Sequence, residues 1–222
     1  MRIRAITTFF MTIAVASTVA LAADAPINTL TDQEKADGWQ LLFNGQNLDN
    51  WKASENQGTF TVKEGILIVH GKRSHLFYAG DVNNSDFINF HLSMDVLTKP
   101  KANSGLYFHT AYQQNGWPAA GYEFQVNNTH SDPKKTAGLY GIKDNFTAPV
   151  EDDVWFNYEI ILKGKDMQSK IDGKTITTYA EPADKTNDGR PGRYLSHGTF
   201  AIQGHDPHSV VHFRNIKVKV LP

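Results

Sequence analysis

The chain has 222 residues, with 22 basic and 23 acidic side chains and no cysteine. A formal net charge of −1 gives no basic excess to draw nucleic acid or an anionic membrane. The lack of thiols excludes disulfides, thiolate catalysis and lipid attachment through an N-terminal cysteine, so stability must come from an ordinary apolar core.

In chain order, Arg2 and Arg4 precede an uncharged run over 5–19 that is apolar apart from Thr and Ser. Ala20-Leu21-Ala22 then supplies the small-x-small pattern of a cleavage site. This predicts a signal peptide over 1–22, removed before Ala23, and a location in the periplasm or outside the cell. The run is short of the about 20 residues a membrane span needs, so no insertion is expected after cleavage. Without Arg2 and Arg4 the mature chain carries 20 basic and 23 acidic residues, a net charge of −3, on 200 residues, which suits one domain.

Residues 23–30 read as a lead-in. Thr31-Asp32-Gln33-Glu34 fits a capping box, and Gly38 closes this short helix, the one clear helix of the mature chain. From residue 39 onward the pattern is strands and turns. The strongest is 87–96, where Ile88, Phe90, Leu92, Met94 and Val96 alternate with polar residues, a period of two with one face in a core. Further strands are predicted over 39–43, 60–63, 66–70, 76–79, 106–110, 122–127, 155–162, 167–171, 174–179, 199–204 and 210–220. Asp172-Gly173 is a two-residue hairpin signal. In the last strand Val211 and Phe213 have one parity and Ile216, Val218 and Val220 the other, so a β-bulge near Arg214-Asn215 would keep all five inward. About a dozen strands joined mostly by turns predict an all-β domain over 39–222, two stacked antiparallel sheets of jelly-roll type.

Three of these strands oppose their apolar residues with unusual polar ones. Tyr107 and His109 oppose Leu106 and Phe108; Glu123, Gln125 and Asn127 oppose Tyr122, Phe124 and Val126; Gln203 and His205 oppose Phe200 and Ile202. A solvent face is ordinarily polar, but it favours Lys, Thr and Ser. Amides, imidazoles, a phenol and a carboxylate together suit polyol recognition, and two imidazoles with a carboxylate suit proton transfer. By ligand type, His109, Glu123 and His205 could also hold a divalent metal. Trp117, between Gly116 and Pro118, is a candidate sugar-stacking platform, though a half-buried anchor fits as well. His130, Lys134 and Lys135 share a polar loop over 128–137, and 181–192 is rich in Pro, Asp and Gly; both read as rim loops.

The run Leu42-Phe43-Asn44-Gly45 through Leu48 and Trp51 resembles the opening signature of the 3-keto-disaccharide hydrolase domain family. Asn103-Ser104-Gly105, Gly121-Tyr122-Glu123-Phe124-Gln125, Gly138-Leu139-Tyr140-Gly141 and Phe213-Arg214-Asn215-Ile216 resemble its later blocks, in order, across 39–219. The resemblance implies a concanavalin-like jelly roll with its active site around the Asn-Ser-Gly and Gly-Tyr-Glu-x-Gln strands. It departs at His109, where many members carry Arg, so the identity of the substrate does not carry over. The implied reaction acts on a glycoside already oxidised at the third carbon: proton removal beside the ketone, loss of the aglycone, and readdition of water. On that basis His109 or His205 is expected as base or acid, with Glu123 as orienter or second base. Asn103, Tyr107, Gln125, Gln203, Trp117 and Lys134 are expected as substrate binders. The alternatives are a non-catalytic, lectin-like carbohydrate-binding domain and an ordinary glycosidase, which needs paired carboxylates where this strand offers Glu123 alone.

Overall fold

The computed structural model describes residues 26–185 and 193–222; the expected leader and its cleavage point fall outside the described residues. Thr31 caps the helix α1 (Asp32–Ala36) through the expected reciprocal bonds with Glu34. After it the described residues form strands, turns and two short 3-10 helices, Gln57–Thr59 and Val82–Ser85. No described helix is long and apolar enough to cross a membrane.

Among the described residues, fifteen strands form two antiparallel sheets. The first sheet contains β1 (Trp39–Leu41), β3 (Phe60–Lys63), β4 (Ile66–His70), β6 (Phe90–Thr98), β11 (Phe156–Lys163), β12 (Asp166–Ile171), β13 (Lys174–Ala180) and β15 (Val210–Val220). Its order is β13-β12-β11-β6-β15-β4-β3, with β1 also on β15. The second contains β2 (Trp51–Ala53), β5 (Ser74–Tyr78), β7 (Ser104–Thr110), β8 (Tyr122–Val126), β9 (Lys135–Leu139), β10 (Lys143–Asn145) and β14 (Thr199–Gly204). Its order is β10-β9-β8-β7-β14-β5-β2. This is an all-β sandwich of the concanavalin-like jelly-roll kind.

The core lies between the sheets. Phe90, Leu92, Met94 and Val96 of β6 and Phe156, Tyr158, Ile160 and Leu162 of β11 meet Leu106, Phe108, Phe124 and Phe200 from the other side. The outer faces differ. On β11 the outward residues Asn157, Glu159 and Ile161 are half-buried, whereas every residue of β7, β8 and β14 is buried. The polar face of the second sheet is therefore roofed by loops, and a functional site can form there out of bulk water.

Asp172 and Gly173 both adopt positive φ, +48° and +75°, as the two-residue hairpin requires. The bulge in β15 is present: its register against β6 shifts between Arg214 and Lys217, and Asn215 sits at φ +55°. Asn215 takes the Asn28 amide on its side-chain oxygen at 2.6 Å and donates to Asp95 at 2.7 Å.

Three expectations need correction. The bulge turns Val211, Phe213, Ile216 and Val218 into the core, but Val220, the last residue of β15, is 37% exposed. Ile88 is 61% exposed rather than inward, because β6 begins only at Phe90. The loop expected over 128–137 ends early, since Lys135 opens β9, a strand whose Lys-Thr-Ala-Gly-Leu sequence shows no period-two alternation.

Asn215→Ala keeps the left-handed strain and loses both side-chain bonds; Asn215→Gly loses the bonds but relieves the strain. Urea denaturation should find both destabilised, with Ala the worse by about 1 kcal/mol.

Candidate functional site

The pairing of β5, β14, β7 and β8 builds the floor. Phe77, Ala201, Tyr107 and Glu123 stand in one cross-strand row, since Ala201 pairs with both Phe77 and Tyr107, and Tyr107 with Glu123. In the next row His75 pairs with Gln203 and Gly105 with Gln125, and continuing the β7–β14 register sets Gln203 beside Gly105. Gly105 is thus a gap between two glutamines, and the Glu123 carboxylate leans into it: a Cβ there would come within 2.1 Å of Oε1. Gln203 Nε2 donates to that same oxygen at 2.7 Å and lies 3.4 Å from the Tyr107 hydroxyl.

Above this floor is a cleft of about 540 Å³, lined also by Asn103, Trp117, Asp132, Tyr140, Arg193 and His205. Burial pushes the Glu123 carboxyl up to about 7, against the lowering pull of Tyr107, the Arg193 charge and Gln203. A carboxyl so placed carries its proton up to neutrality and can donate it. Burial, with the Glu123 charge behind it, holds the Tyr107 hydroxyl far above its ordinary pKa, so it remains a donor. Three buried amide oxygens of the cleft, on Asn103, Gln125 and Gln203, have no hydrogen-bond partner among the described residues. Buried acceptors are normally satisfied, so three converging on one cavity mark a place where a ligand supplies the donors. Hydroxyl groups of a polyol fit that requirement.

His205 follows β14 and lines the cleft. Its Nδ1 is 2.8 Å from Asp206 Oδ2. Burial works against the Asp206 charge, but hydrogen bonds from Ser209, His205 and the His208 amide outweigh it and bring the carboxyl to about 2. The permanent carboxylate holds the Nδ1 proton of His205, leaving Nε2 as an acceptor, the geometry of a positioned base. His130 lies beside it, with ring centroids 5.6 Å apart. Among the described residues, His130, His205 and Asp206 are the trio whose ligand-type atoms converge, within 4.8 Å. The expected metal set of His109, Glu123 and His205 does not come together. In the observed trio His130 Nδ1 accepts the Asp132 amide at 3.0 Å and His205 Nδ1 meets Asp206 Oδ2 at 2.8 Å, which leaves the two Nε2 atoms and the remaining carboxylate lone pairs as the donors open to a cation.

His109 is the main correction among the expected residues. The register of β7 on β14 shifts between Thr199 and Ala201, and His109 adopts φ +56°. That left-handed residue inserts a bulge, ends the alternation, and turns the ring away from the cleft onto Phe90 and Phe108. His109 Nε2 meets the Ile88 carbonyl at 2.9 Å, and Nδ1 accepts the Ser196 amide at 3.1 Å. Glu181 accepts the Leu195 amide at 2.8 Å and the Tyr122 hydroxyl at 2.6 Å. His109 and Glu181 therefore fasten the segment that delivers Arg193, whose Nη1 donates to the Tyr140 carbonyl at 2.9 Å. Lys134 also stands outside the lining: its ammonium lies over the Tyr140 ring at 3.9 Å and 3.5 Å from Asp144.

The other expected residues, Asn103, Tyr107, Trp117, Glu123, Gln125, Gln203 and His205, do line the cleft. Sequence reasoning missed Arg193, Asp132, Tyr140 and Asp206. Tyr140 lay in a recognised Gly-Leu-Tyr-Gly block and Asp132 in a recognised rim loop. Arg193 immediately follows the other rim stretch, but nothing local says that it turns inward.

The 3-keto-alpha-glucoside-1,2-lyase-like domain model matches residues 38–219. No curated protein matches the sequence. Among solved structures, a candidate glycosyl hydrolase from Parabacteroides distasonis superposes with TM-score 0.75 at 22% identity, covering 89% of this chain and 100% of its own. A second from the same organism gives 0.64 at 21%, covering 82% and 99%. A carbohydrate-binding module from Bacillus subtilis gives 0.55 at 12%, covering 78% and 97%. At these identities the similarity is one of fold.

The Glu123 carboxyl carries a sign that can be checked. Between pH 4.5, its ordinary value, and about 7, the folded protein keeps a proton that the unfolded chain has released. Glu123 therefore costs stability progressively as pH rises through that window, reaching about 3 kcal/mol above it. Thermal melts should show Glu123→Gln gaining on the parent from pH 5 to pH 8; parallel curves would mean an ordinary, solvated carboxyl.

Proposed function

The chain belongs to the 3-keto-alpha-glucoside-1,2-lyase-like domain family, and from that premise we propose that it is an exported enzyme cleaving 3-keto-glycosides by elimination. The observation that carries this reading is the Glu123 carboxyl, raised to about 7 in a cleft with three unpartnered amide oxygens. A binding module needs the amides but has no use for a carboxyl tuned to neutrality. An ordinary glycosidase needs a second available carboxylate, and Asp132 has both oxygens engaged, by the Lys134 amide at 2.9 Å and the Tyr140 hydroxyl at 3.2 Å.

The ketone acidifies the hydrogen on the neighbouring second carbon. His205 Nε2, steadied through Nδ1 by Asp206, takes that proton, and the C–H electron pair becomes an enolate. Arg193 and the Tyr107 hydroxyl face the cleft as donors for the developing oxyanion. As the enolate collapses, a double bond forms between the first and second carbons and the bond to the aglycone oxygen breaks. Glu123 gives that oxygen its proton. Water adding across the double bond completes hydrolysis; without it the product is the unsaturated keto-sugar. Asn103, Gln125 and Gln203 hold the sugar hydroxyls.

Incubation with glucosides and their 3-keto forms, with and without chelator and followed by mass spectrometry, should show aglycone release from the keto forms alone. Glu123→Gln and His205→Ala should each lower kcat/KM by about 100-fold or more. The parent rate should fall as pH rises through about 7, because the acid must be protonated, and Glu123→Gln should lack that limb. Release from unoxidised glycosides, or binding without turnover, would refute the proposal, the second in favour of a lectin-like domain.

A further inference from the structure

His109 stands outside the cleft, yet both of its ring nitrogens are committed. Nε2 donates to the Ile88 carbonyl at 2.9 Å and Nδ1 accepts the Ser196 amide at 3.1 Å. One donor and one acceptor on the same ring describe the neutral imidazole and fix its tautomer. The ring is buried against Phe90 and Phe108. Above it runs the strap 193–198, pressed so close to β7 that a Cβ at Gly198 would come within 2.3 Å of the Thr110 carbonyl.

We infer that His109 is a positioning residue acting through Arg193: the neutral ring latches the strap that holds the guanidinium at the cleft, and a proton on Nδ1 releases it. Its bearing on catalysis rests on the reading of the cleft as a 3-keto-glycoside site; the latch itself does not. Consecutive amides of the strap go to two side chains, Leu195 to Glu181 at 2.8 Å and Ser196 to His109. Arg193 adds its bond to the Tyr140 carbonyl. The far end is fixed separately, where Gly198 and Phe87 exchange backbone bonds at 2.8 and 3.2 Å. The near end can therefore open while β14 stays in the sheet. An imidazolium carries N–H at both positions, so Nδ1 would meet the Ser196 amide donor against donor in a buried place.

The charged groups facing the ring are Glu181, Asp86 and His197. Burial is the main cause that holds the His109 pKa below its ordinary 6.5; the Ile88 bond and the two carboxylates oppose it, and His197 adds to it. A released ring titrates at its ordinary value and a latched one lower. The latch is thus whole above pH 6.5 and is lost as pH falls through the latched value, with opening at pH 5 favoured by at most about 30-fold over neutral pH. The Asp86–His197 contact at 2.7 Å runs the other way, since a proton on His197 tightens it, but both side chains are more than half exposed and it weighs little. Arg193 connects the latch to the site: its charge lowers the pKa of both Glu123 and Tyr107, so withdrawing it raises the Glu123 midpoint above about 7.

Amide hydrogen exchange on the substrate-free parent tests the latch. The protection factors of Leu195 and Ser196 should fall about tenfold from pH 7.5 to pH 5, relative to Ala201 in the middle of β14. Equal protection at both pH values would overturn it. His109→Leu keeps the site buried and removes the acceptor, so both amides should be poorly protected throughout and the Glu123 midpoint should rise. His109→Gln offers one donor and one acceptor but does not titrate; it should keep the parent midpoint and lose the pH dependence. An unmoved Glu123 midpoint in His109→Leu would overturn the action through Arg193. Should that variant not fold, exchange in the parent decides. None of these readouts uses turnover, so a failed catalytic reading shows itself differently, as a working latch on a protein that cleaves nothing.

Discussion

A single carboxyl is buried on the face of a sheet, and most of the site follows from making room for it and controlling its charge. Glu123 projects from β8 onto β7, where the missing side chain of Gly105 leaves the space its carboxylate occupies. Gln203 fixes one oxygen, Tyr107 stands beside it and Arg193 supplies a charge that keeps its pKa from rising further. The Asn-Ser-Gly and Gly-Tyr-Glu-x-Gln strands thus depend on one another: the first provides the gap and the second fills it. Because water is excluded, each of these polar contacts acts at greater strength than on an open sheet.

The loops supply that exclusion. His109 and Glu181 secure the segment bearing Arg193. Asn127 holds the 128–134 turn, accepting the His130 amide at 2.9 Å and donating to the Lys134 carbonyl at 2.8 Å. Gln113 closes the Trp117 loop on itself. That loop also packs on the sheet, Tyr112 against Phe77 and Trp117 against His75, with ring centroids 5.5 and 5.4 Å apart. His205, steadied by Asp206 just past the end of β14, stands at that same side, with its ring 5.5 Å from the indole.

The period-two pattern made much of this legible. It separated Leu106 and Phe108 from Tyr107, and Phe124 from Glu123 and Gln125, and the parity change between Phe213 and Ile216 located the bulge at Asn215. The same rule failed at His109, because parity holds only while the backbone stays extended, and a left-handed residue there reverses the face. Nothing in Phe-His-Thr announces that conformation. The place of His75 beside Gln203 was hidden for another reason: it depends on β5 lying next to β14, and strand order is not written in local periodicity. Arg193 and Asp206 lie in irregular segments, where side-chain direction is set by tertiary bonds such as those from Glu181 and Ser209.

The account stands on Glu123 keeping its proton up to about pH 7 in the resting protein. Carboxyl carbon NMR with labelled glutamate, using Glu123→Gln to identify the resonance, follows its ionisation directly. A midpoint near 7 is the predicted result; a midpoint near 4.5 would show an ionised carboxylate at working pH and contradict its part as proton donor to the leaving group.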